Sequence, residues 1–285
     1  MKKVIFITGP STGFGRLSAI TLSNAGYTVI AGMREVKGKN AAPARELSAL
    51  PGVEVIEIDV TSDHSVKDAF TSVLSKYGTI DVLVNNAGAL GFGLLEAFSV
   101  EQVKKLFEVN FYGVIRTYQE VLPVMRKAGK GLIINITSGA SGHTLPFMIP
   151  YMASKFGVEA ISEGLQDELS EYNIENVTIQ PGVYPTEMTD GSKAGIHSDR
   201  EKITADYGQS ATDKFNALGA GLYGKMAQYD MNPQVIANGI LELIAMEDGS
   251  RPVRFPLDAI AEGTDKEFIE ARAANKAKWL AKYTS

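Results

Sequence analysis

The chain has no cysteine. No disulfide framework, thiolate nucleophile or Cys-ligated metal centre is therefore available to it. Histidine is almost as scarce: His64, His143 and His197 stand far apart and in no metal-ligand spacing, so no metal site is expected. No apolar run reaches the 18 residues that a membrane-spanning helix needs. The opening MKKVIFITGP breaks at Gly9-Pro10, too early for a secretory signal core, and the expected location is the cytoplasm. Long runs of one charge are missing too. The 28 basic and 33 acidic residues give a net charge of -5, and the short Lys37/Lys39 cluster is no footprint for nucleic acid. Asn135-Ile-Thr137 and Asn176-Val-Thr178 match the glycosylation pattern but fall inside strand-like runs, and both are read as chance matches.

What the chain does have is apolar material in a regular order. Of its 285 residues 45% are hydrophobic, ample for a large core. Short β-branched runs (Val4–Thr8, Thr28–Met33, Val53–Asp59, Val82–Asn85, Gly131–Thr137, Val177–Gln180, Pro252–Phe255) alternate with helical patterns (Gly15–Ala25, Ser62–Tyr77, Ser99–Lys127, Tyr151–Tyr172, Pro233–Met246). Ser99 with Gln102 forms the capping box that opens one of these helices. Near-continuous apolar strands, each followed by a helix, predict an α/β fold: one doubly wound, seven-stranded parallel sheet covered on both faces. With no linker and no repeat, residues 1–285 read as a single domain. Two segments interrupt the alternation. Residues 186–232 are helix-prone with scattered apolar side chains, the mark of a substrate lid. Residues 264–283 read as a charged C-terminal helix packed on the body or on a neighbouring subunit.

The turn after the first strand, Thr8-Gly9-Pro10-Ser11-Thr12-Gly13-Phe14-Gly15, has the chemistry of a phosphate cradle. Glycines permit a tight turn and a close approach of the backbone to a pyrophosphate, and the helix that follows offers free N–H groups and a positive dipole end. Gly9 to Gly13 also match the G-x-S-x-G nucleophile elbow, so a serine hydrolase using Ser11 is a rival reading. It is disfavoured, because no earlier strand exists to supply the usual second oxyanion donor. Arg34 lies 19 residues beyond Gly15, where a dinucleotide site holds the adenine ribose. Its guanidinium suits a 2′-phosphate and favours NADP (NADPH), while Glu35 beside it keeps NAD possible.

Tyr151 and Lys155 sit one helical turn apart, thirteen residues after Ser138. A useful base near neutral pH needs the tyrosine lowered from about 10 by roughly 3 units. Burial alone pushes the wrong way, so the lysine cation has to supply the shift.

Taken in order, T-G-x-x-x-G-x-G, Asp59-Val60, Asn85-Asn86-Ala87-Gly88, Ser138, Tyr151-x-x-x-Lys155 and Pro181-Gly182 resemble the short-chain dehydrogenase/reductase family over about residues 1–255. Arg34 resembles its NADP-preferring branch of hydroxysteroid and retinol dehydrogenase-like members. The resemblance implies a Rossmann-type fold and hydride transfer between NADP(H) and a ketone, aldehyde or secondary alcohol. Tyr151 would be the general acid/base, Lys155 would lower its pKa, Ser138 would polarise the carbonyl and Asn110 would anchor a proton relay. Gly9, Ser11, Thr12, Gly13, Phe14, Gly15, Arg34, Asp59, Val60, Asn86, Ala87, Gly88, Tyr151, Lys155, Pro181, Gly182, Val183 and Thr186 would hold the cofactor. Homodimers or homotetramers would form through the helices after Ser99 and Tyr151. A catalytically idle dinucleotide-binding regulator on the same fold is the alternative, which the complete Asn110/Ser138/Tyr151/Lys155 set argues against. For the small-molecule carbonyl or alcohol substrate, the expected wall residues are Phe92, His143, Leu145, Phe147 and Met188 with Leu90 nearby, an apolar set suited to an apolar carbonyl.

Overall fold

In the computed structural model, which describes residues 2–190 and 195–283, the seven strands form one parallel sheet. Seven β-rich runs become strands β1 (Val4–Thr8), β2 (Thr28–Met33), β3 (Val53–Glu57), β4 (Val82–Asn85), β6 (Gly131–Ile136), β7 (Ile174–Pro181) and β9 (Arg254–Leu257). Their order across the sheet is β3-β2-β1-β4-β6-β7-β9, and every neighbouring pair is parallel. The order reverses between β1 and β4. In such sheets the crevice beyond the carboxyl ends of the strands at that point is where ligands bind.

Strand alternation divides the core into two layers. Ile5 and Ile7 of β1 face helices α1 (Gly13–Asn24) and α9 (Gln234–Ala245), packing with Leu22, Ile236 and Ile240. Val4 and Phe6 face the other side, where α3 (Asp63–Tyr77), α5 (Gly113–Ala128) and α6 (Ile149–Leu169) supply Phe70, Val114 and Val158. Phe6 stacks on Phe70 with centroids 4.7 Å apart. Each such fully buried side chain contributes roughly 1.5–3 kcal/mol of transfer free energy.

Several boundaries differ from expectation for local reasons. The last strand starts at Arg254, pairing Thr178 to Pro181 of β7, because Pro252 lacks the N–H a ladder needs. A short helix α2 (Ala41–Ser48), not foreseen, covers the sheet edge beside β3. The long helix expected over 99–127 is interrupted. After α4 (Val100–Phe107), which Ser99 and Gln102 open with the expected capping box, residues Glu108–Tyr112 make a π-helical turn before α5 begins.

The 186–232 segment contains strand β8 (Ile196–His197), which pairs with the two-residue strand β5 (Gly91–Phe92), and helices α7 (Glu201–Asp206) and α8 (Gly208–Gln228). Part of that span, residues 191–194, lies outside the described residues. Helix α10 (Thr264–Leu280) packs on the body: Phe268 lies 4.4 Å from the His143 ring, and Arg272 and Lys276 meet Glu163 of α6. Trp279 is turned outward, 56% exposed. Among the described residues no helix is long and apolar enough to cross a membrane.

Candidate active site

A cavity of about 750 Å³ opens at the carboxyl end of the sheet. It begins at the glycine turn. Gly9, at φ +67°, leads into α1, and a Cβ there would stand 2.9 Å from the Ala87 Cα; one on Gly15 would stand 2.4 Å from the Asn86 Nδ2. Neither turn position admits a side chain without shifting backbone. Asn86 ties the two motifs together, its Nδ2 donating to the carbonyls of Thr8 and Gly9 at 2.9 Å each, while the Thr8 hydroxyl accepts from the N–H groups of Asn86 and Ala87. This bare, N–H-lined turn at a helix start fits a pyrophosphate. The N–H of Gly13, the first residue of α1, donates to the Glu187 carboxylate at 3.1 Å. An anion on this helix end is what the dipole favours.

Next along the cavity comes the end of β2. Arg34 lines it and Glu35 does not. The loop is fixed by Glu57, whose carboxylate accepts from the N–H groups of Glu35 (2.7 Å) and Val36 (3.0 Å), and by Asn40, whose Nδ2 donates to the Arg34 carbonyl at 2.7 Å. Asp59 and Val60 line the same region. The Asp59 carboxylate accepts from the Thr61 N–H and hydroxyl, so the acid also closes its own strand-end turn.

At the far end Ser138, Tyr151 and Lys155 meet in the same cavity with Gly88, Pro181, Gly182, Val183 and Thr186. Tyr151 and Lys155 are buried on α6, at 7% and 6% exposure. Burial pushes the Tyr151 phenol up to about 12, with a hydrogen bond from the Ser138 side chain pulling it back. Burial pushes the Lys155 ammonium down to about 8. The Lys155 Nζ donates to the Ile136 carbonyl at 2.8 Å and lies 6.0 Å from the centre of the Tyr151 ring. The direction for Tyr151 is thus opposite to the one expected of the lysine: in this structure desolvation outweighs every other influence on the phenol.

Asn110 does not line the cavity. It sits in the π-helical turn, 1% exposed, directly behind Gly88–Ala89. Its Oδ1 accepts from the Ala89 N–H at 2.8 Å, and its Nδ2 donates to the Ala89 carbonyl and to the Ser154 hydroxyl, both at 2.9 Å. A Cβ on Gly88 would stand 3.4 Å from the Asn110 Oδ1 and 3.6 Å from the Lys155 Nζ, so both groups border this glycine. Gly15 likewise lies behind the lining, under Asn86.

Of the substrate-wall residues, Phe92, His143, Leu145 and Met188 line the cavity, and Phe147 does not. Phe147 holds a left-handed φ of +64° and turns its ring edge-on to Phe215 of α8 at 5.4 Å. It braces that helix from below. Five residues of α8 also line it, Ala217, Leu218, Gly221, Leu222 and Lys225; of these only Leu222 stands out in the sequence, as an apolar residue of the 186–232 segment. Asp258 carries no local signal either; it lines the cavity with its carboxylate beside Gly139 and Gly182, and burial raises its pKa. The Ser11 hydroxyl lines the cavity without a hydrogen bond to any histidine among the described residues. His143 packs on Phe268 and His197 on Phe92.

Compared with known proteins, residues 3–196 match the family described as short chain dehydrogenase. The chain belongs to the short-chain dehydrogenase family. Within it, the chain is 34% identical over 260 residues to an uncharacterized oxidoreductase, YusZ, of Bacillus subtilis (strain 168), covering 90% of this chain and 89% of that one. It is 38% identical over 188 residues to a 3-ketodihydrosphingosine reductase of Bacteroides thetaiotaomicron, with 66% of each covered. A short-chain dehydrogenase from Streptomyces avermitilis superposes over 100% of both chains with a TM-score of 0.77 at 28% identity. An alcohol dehydrogenase from Thermococcus sibiricus, complexed with 5-hydroxy-NADP, does so over 90% of this chain and 96% of that one, with a TM-score of 0.70 at 28% identity. The protein is thus an oxidoreductase of a family that uses a nicotinamide cofactor.

Proposed function

We propose that the chain is an NADP(H)-dependent carbonyl reductase or alcohol dehydrogenase acting on the CH–OH group of an apolar substrate. The observation that carries this reading is that Ser138, Tyr151 and Lys155 share one cavity with the glycine turn and with Arg34. A regulator that only sensed a dinucleotide would need no buried phenol and ammonium beside the nicotinamide end.

The residues suit the cofactor as follows. Gly9, Ser11, Thr12, Gly13 and Phe14 receive the pyrophosphate, with Gly15 and Asn86 keeping the turn closed. Arg34 takes the 2′-phosphate, Asp59 and Val60 the adenine, Asn86 to Gly88 the adenosine ribose, and Pro181, Gly182, Val183 and Thr186 the nicotinamide side. Lys155 takes the nicotinamide ribose. When bound, the nicotinamide supplies or accepts the hydride. The protein's own part is to handle the proton. In reduction the Tyr151 Oη gives its proton to the carbonyl oxygen, while Ser138 donates a hydrogen bond to the same oxygen and holds it. Lys155 favours the phenolate left behind, and Asn110, one glycine away, continues the proton path through bound water. Of the 186–232 segment, helices α7 and α8 serve as the lid, with α8 lining the site.

For the substrate, Leu90, Met148, Tyr151 and Met152 form a small buried cluster with Phe92, Leu145 and Met188 packed against it. Such a wall favours a medium or large apolar ketone, aldehyde or secondary alcohol over a sugar. NADP preference, and with it the hydroxysteroid and retinol dehydrogenase-like branch, rests on Arg34 lining the cavity where Glu35 does not. Exposed Val100, Tyr112 and Phe156 on α4, the π-helical turn and α6 support assembly through those helices.

Fluorescence titration with NADPH and NADH, followed by a carbonyl panel, tests the reading. NADPH should bind more tightly, apolar carbonyls should turn over, and Tyr151→Phe should bind NADPH normally but reduce nothing. Failure to bind either dinucleotide would remove the proposal.

A further inference from the structure

Tyr151, Lys155, Glu159 and Glu163 follow each other at four-residue intervals along one face of α6. The first two belong to the site just proposed; the third has no part in it, yet is buried to 1% exposure. Its two oxygens do different things. Oε2 accepts from the Arg254 Nε of β9 at 2.9 Å. Oε1 accepts from the Gln180 Nε2 (2.8 Å) and lies within reach of two hydroxyls, Thr137 (2.8 Å) and Ser141 (3.2 Å), each of which shares its single proton with a backbone carbonyl, that of Ile179 (3.0 Å) and that of Ser138. Thr137 directly precedes Ser138, and the Ser141 hydroxyl also bonds the Ser138 carbonyl. The hydroxyls on both sides of Ser138, Thr137 and Ser141, are therefore drawn to one carboxylate oxygen, carried on the same helix as Tyr151.

We infer that Glu159 is a positioning residue, which through Thr137 and Ser141 holds Ser138 in register with Tyr151. The inference rests on the proposed oxidoreductase function. A buried carboxylate is costly unless paired and fully hydrogen-bonded, and as a stabiliser alone it gains little over an apolar side chain. Here one amide and two shared hydroxyl protons converge on Oε1, and the oxygen of a neutral amide would accept them less strongly. A glutamine set to accept from them would also turn its NH₂ toward the Arg254 guanidinium, donor against donor. The far side of the pair is anchored as well. Arg254 also bonds Glu163, which meets Arg272 and Lys276 of α10. The C-terminal helix thus braces the same carboxylate from outside.

The test compares Glu159→Gln, Ser141→Ala and the double variant with the full-length wild type, in NADPH titration and in turnover per cofactor-binding site. Ser141→Ala leaves the Glu159–Arg254 pair in place, so it answers even if Glu159→Gln does not fold. A positioning role predicts NADPH affinity unchanged to within about twofold. It predicts kcat lowered about tenfold or more, since misplacing a reacting group by ~1 Å costs up to about a hundredfold. It also predicts a double variant no worse than the poorer single one. The pH profile gives a readout that loss of stability does not move. Tyr151 is faced by Ser138 and by Lys155 of its own helix, with His143 and Asp258 on other walls of the cavity, and only the Ser138 contact changes in these variants. Since that hydrogen bond pulls the phenol down, the rising limb of alcohol oxidation should move to higher pH. Ser141→Ala with wild-type kcat per bound cofactor and an unmoved limb would overturn the inference, as would additive losses in the double variant. A wild type that binds NADPH but turns over no carbonyl or alcohol would instead sink the oxidoreductase reading, and this inference with it.

Discussion

Gly9 and Gly78 have almost the same left-handed φ, +67° and +73°, but different surroundings. Gly78 ends α3 with nothing within 4 Å of where a Cβ would be, whereas at Gly9 a Cβ would meet the Ala87 Cα at 2.9 Å and Cβ at 3.2 Å. Gly78→Ala therefore suffers only left-handed strain, roughly 1 kcal/mol. Gly9→Ala suffers the same strain plus a clash with backbone that cannot swing aside, for which about 1–3 kcal/mol is typical of overpacking. At roughly 2–4 °C per kcal/mol for a chain somewhat shorter than this one, Gly78→Ala should lower Tm by a few degrees and Gly9→Ala by two to four times as much. Only Gly9→Ala should affect the cofactor, because Ala87 moves with Asn86, which holds the Thr8 and Gly9 carbonyls. Thermal melts with and without NADPH, together with NADPH titration, measure both effects. If the two variants lose the same stability and bind NADPH alike, the close approach of Gly9 to Ala87 is not what shapes the cradle.

Arg34→Ala should weaken NADPH by roughly tenfold to a hundredfold, the worth of one charge-assisted hydrogen bond at about 1.5–3 kcal/mol, and leave NADH unchanged; parallel titrations decide it. Glu187→Gln removes a charge that competes for the α1 N-terminus at 3.1 Å. At about 0.3–1 kcal/mol for such a contact, NADPH should bind about two- to fivefold tighter at low salt, with the gain shrinking as salt is added. An unchanged affinity at low salt would show that the carboxylate does not compete.

Much of this architecture was legible because it is local. The run Val4–Thr8 is buried at every position, as a strand covered on both faces must be. The glycines of the turn and the Tyr151/Lys155 spacing are likewise fixed by neighbours a few residues away. What the sequence hid depends on partners far along the chain. Glu187 meets Gly13 across 174 residues, and Glu159 meets Arg254 across 95. Phe147 reads as a pocket-wall residue because it is apolar and lies in the 142–149 segment after Ser138, but it has a left-handed φ and packs its ring on Phe215. Asn110 stood out as an amide inside a helical pattern, and the π-helical turn that accommodates it is not visible in periodicity. Helix α2 carries little signal because it is eight residues long and buries only Ala44 and Leu47, too short a stripe for a periodic pattern.

Lys155 offers the sharpest separation of stability from function. Burial lowers its pKa from 10.5 to about 8. Below about pH 8 the lysine is charged in both folded and unfolded chains, and the folded state bears the full desolvation cost. Between about 8 and 10.5 the unfolded chain holds the proton that the folded one has lost, so stability rises with pH across that window. Above it both are neutral. At pH 7 the penalty is roughly 3 kcal/mol, at 1.36 kcal/mol for each pKa unit. Lys155→Met keeps the length of the side chain and removes the charge, losing the 2.8 Å bond to the Ile136 carbonyl, which offsets about 1 kcal/mol. The variant should therefore be about 2 kcal/mol more stable than wild type at pH 7, melting roughly 4–8 °C higher, while turning over no substrate. At pH 10.5 that advantage should vanish. A Lys155→Met protein that melts below wild type at pH 7 would mean that the folded chain compensates the ammonium with a partner beyond Ile136, and the lysine would then be a stabilising residue rather than one kept at a cost for its chemistry.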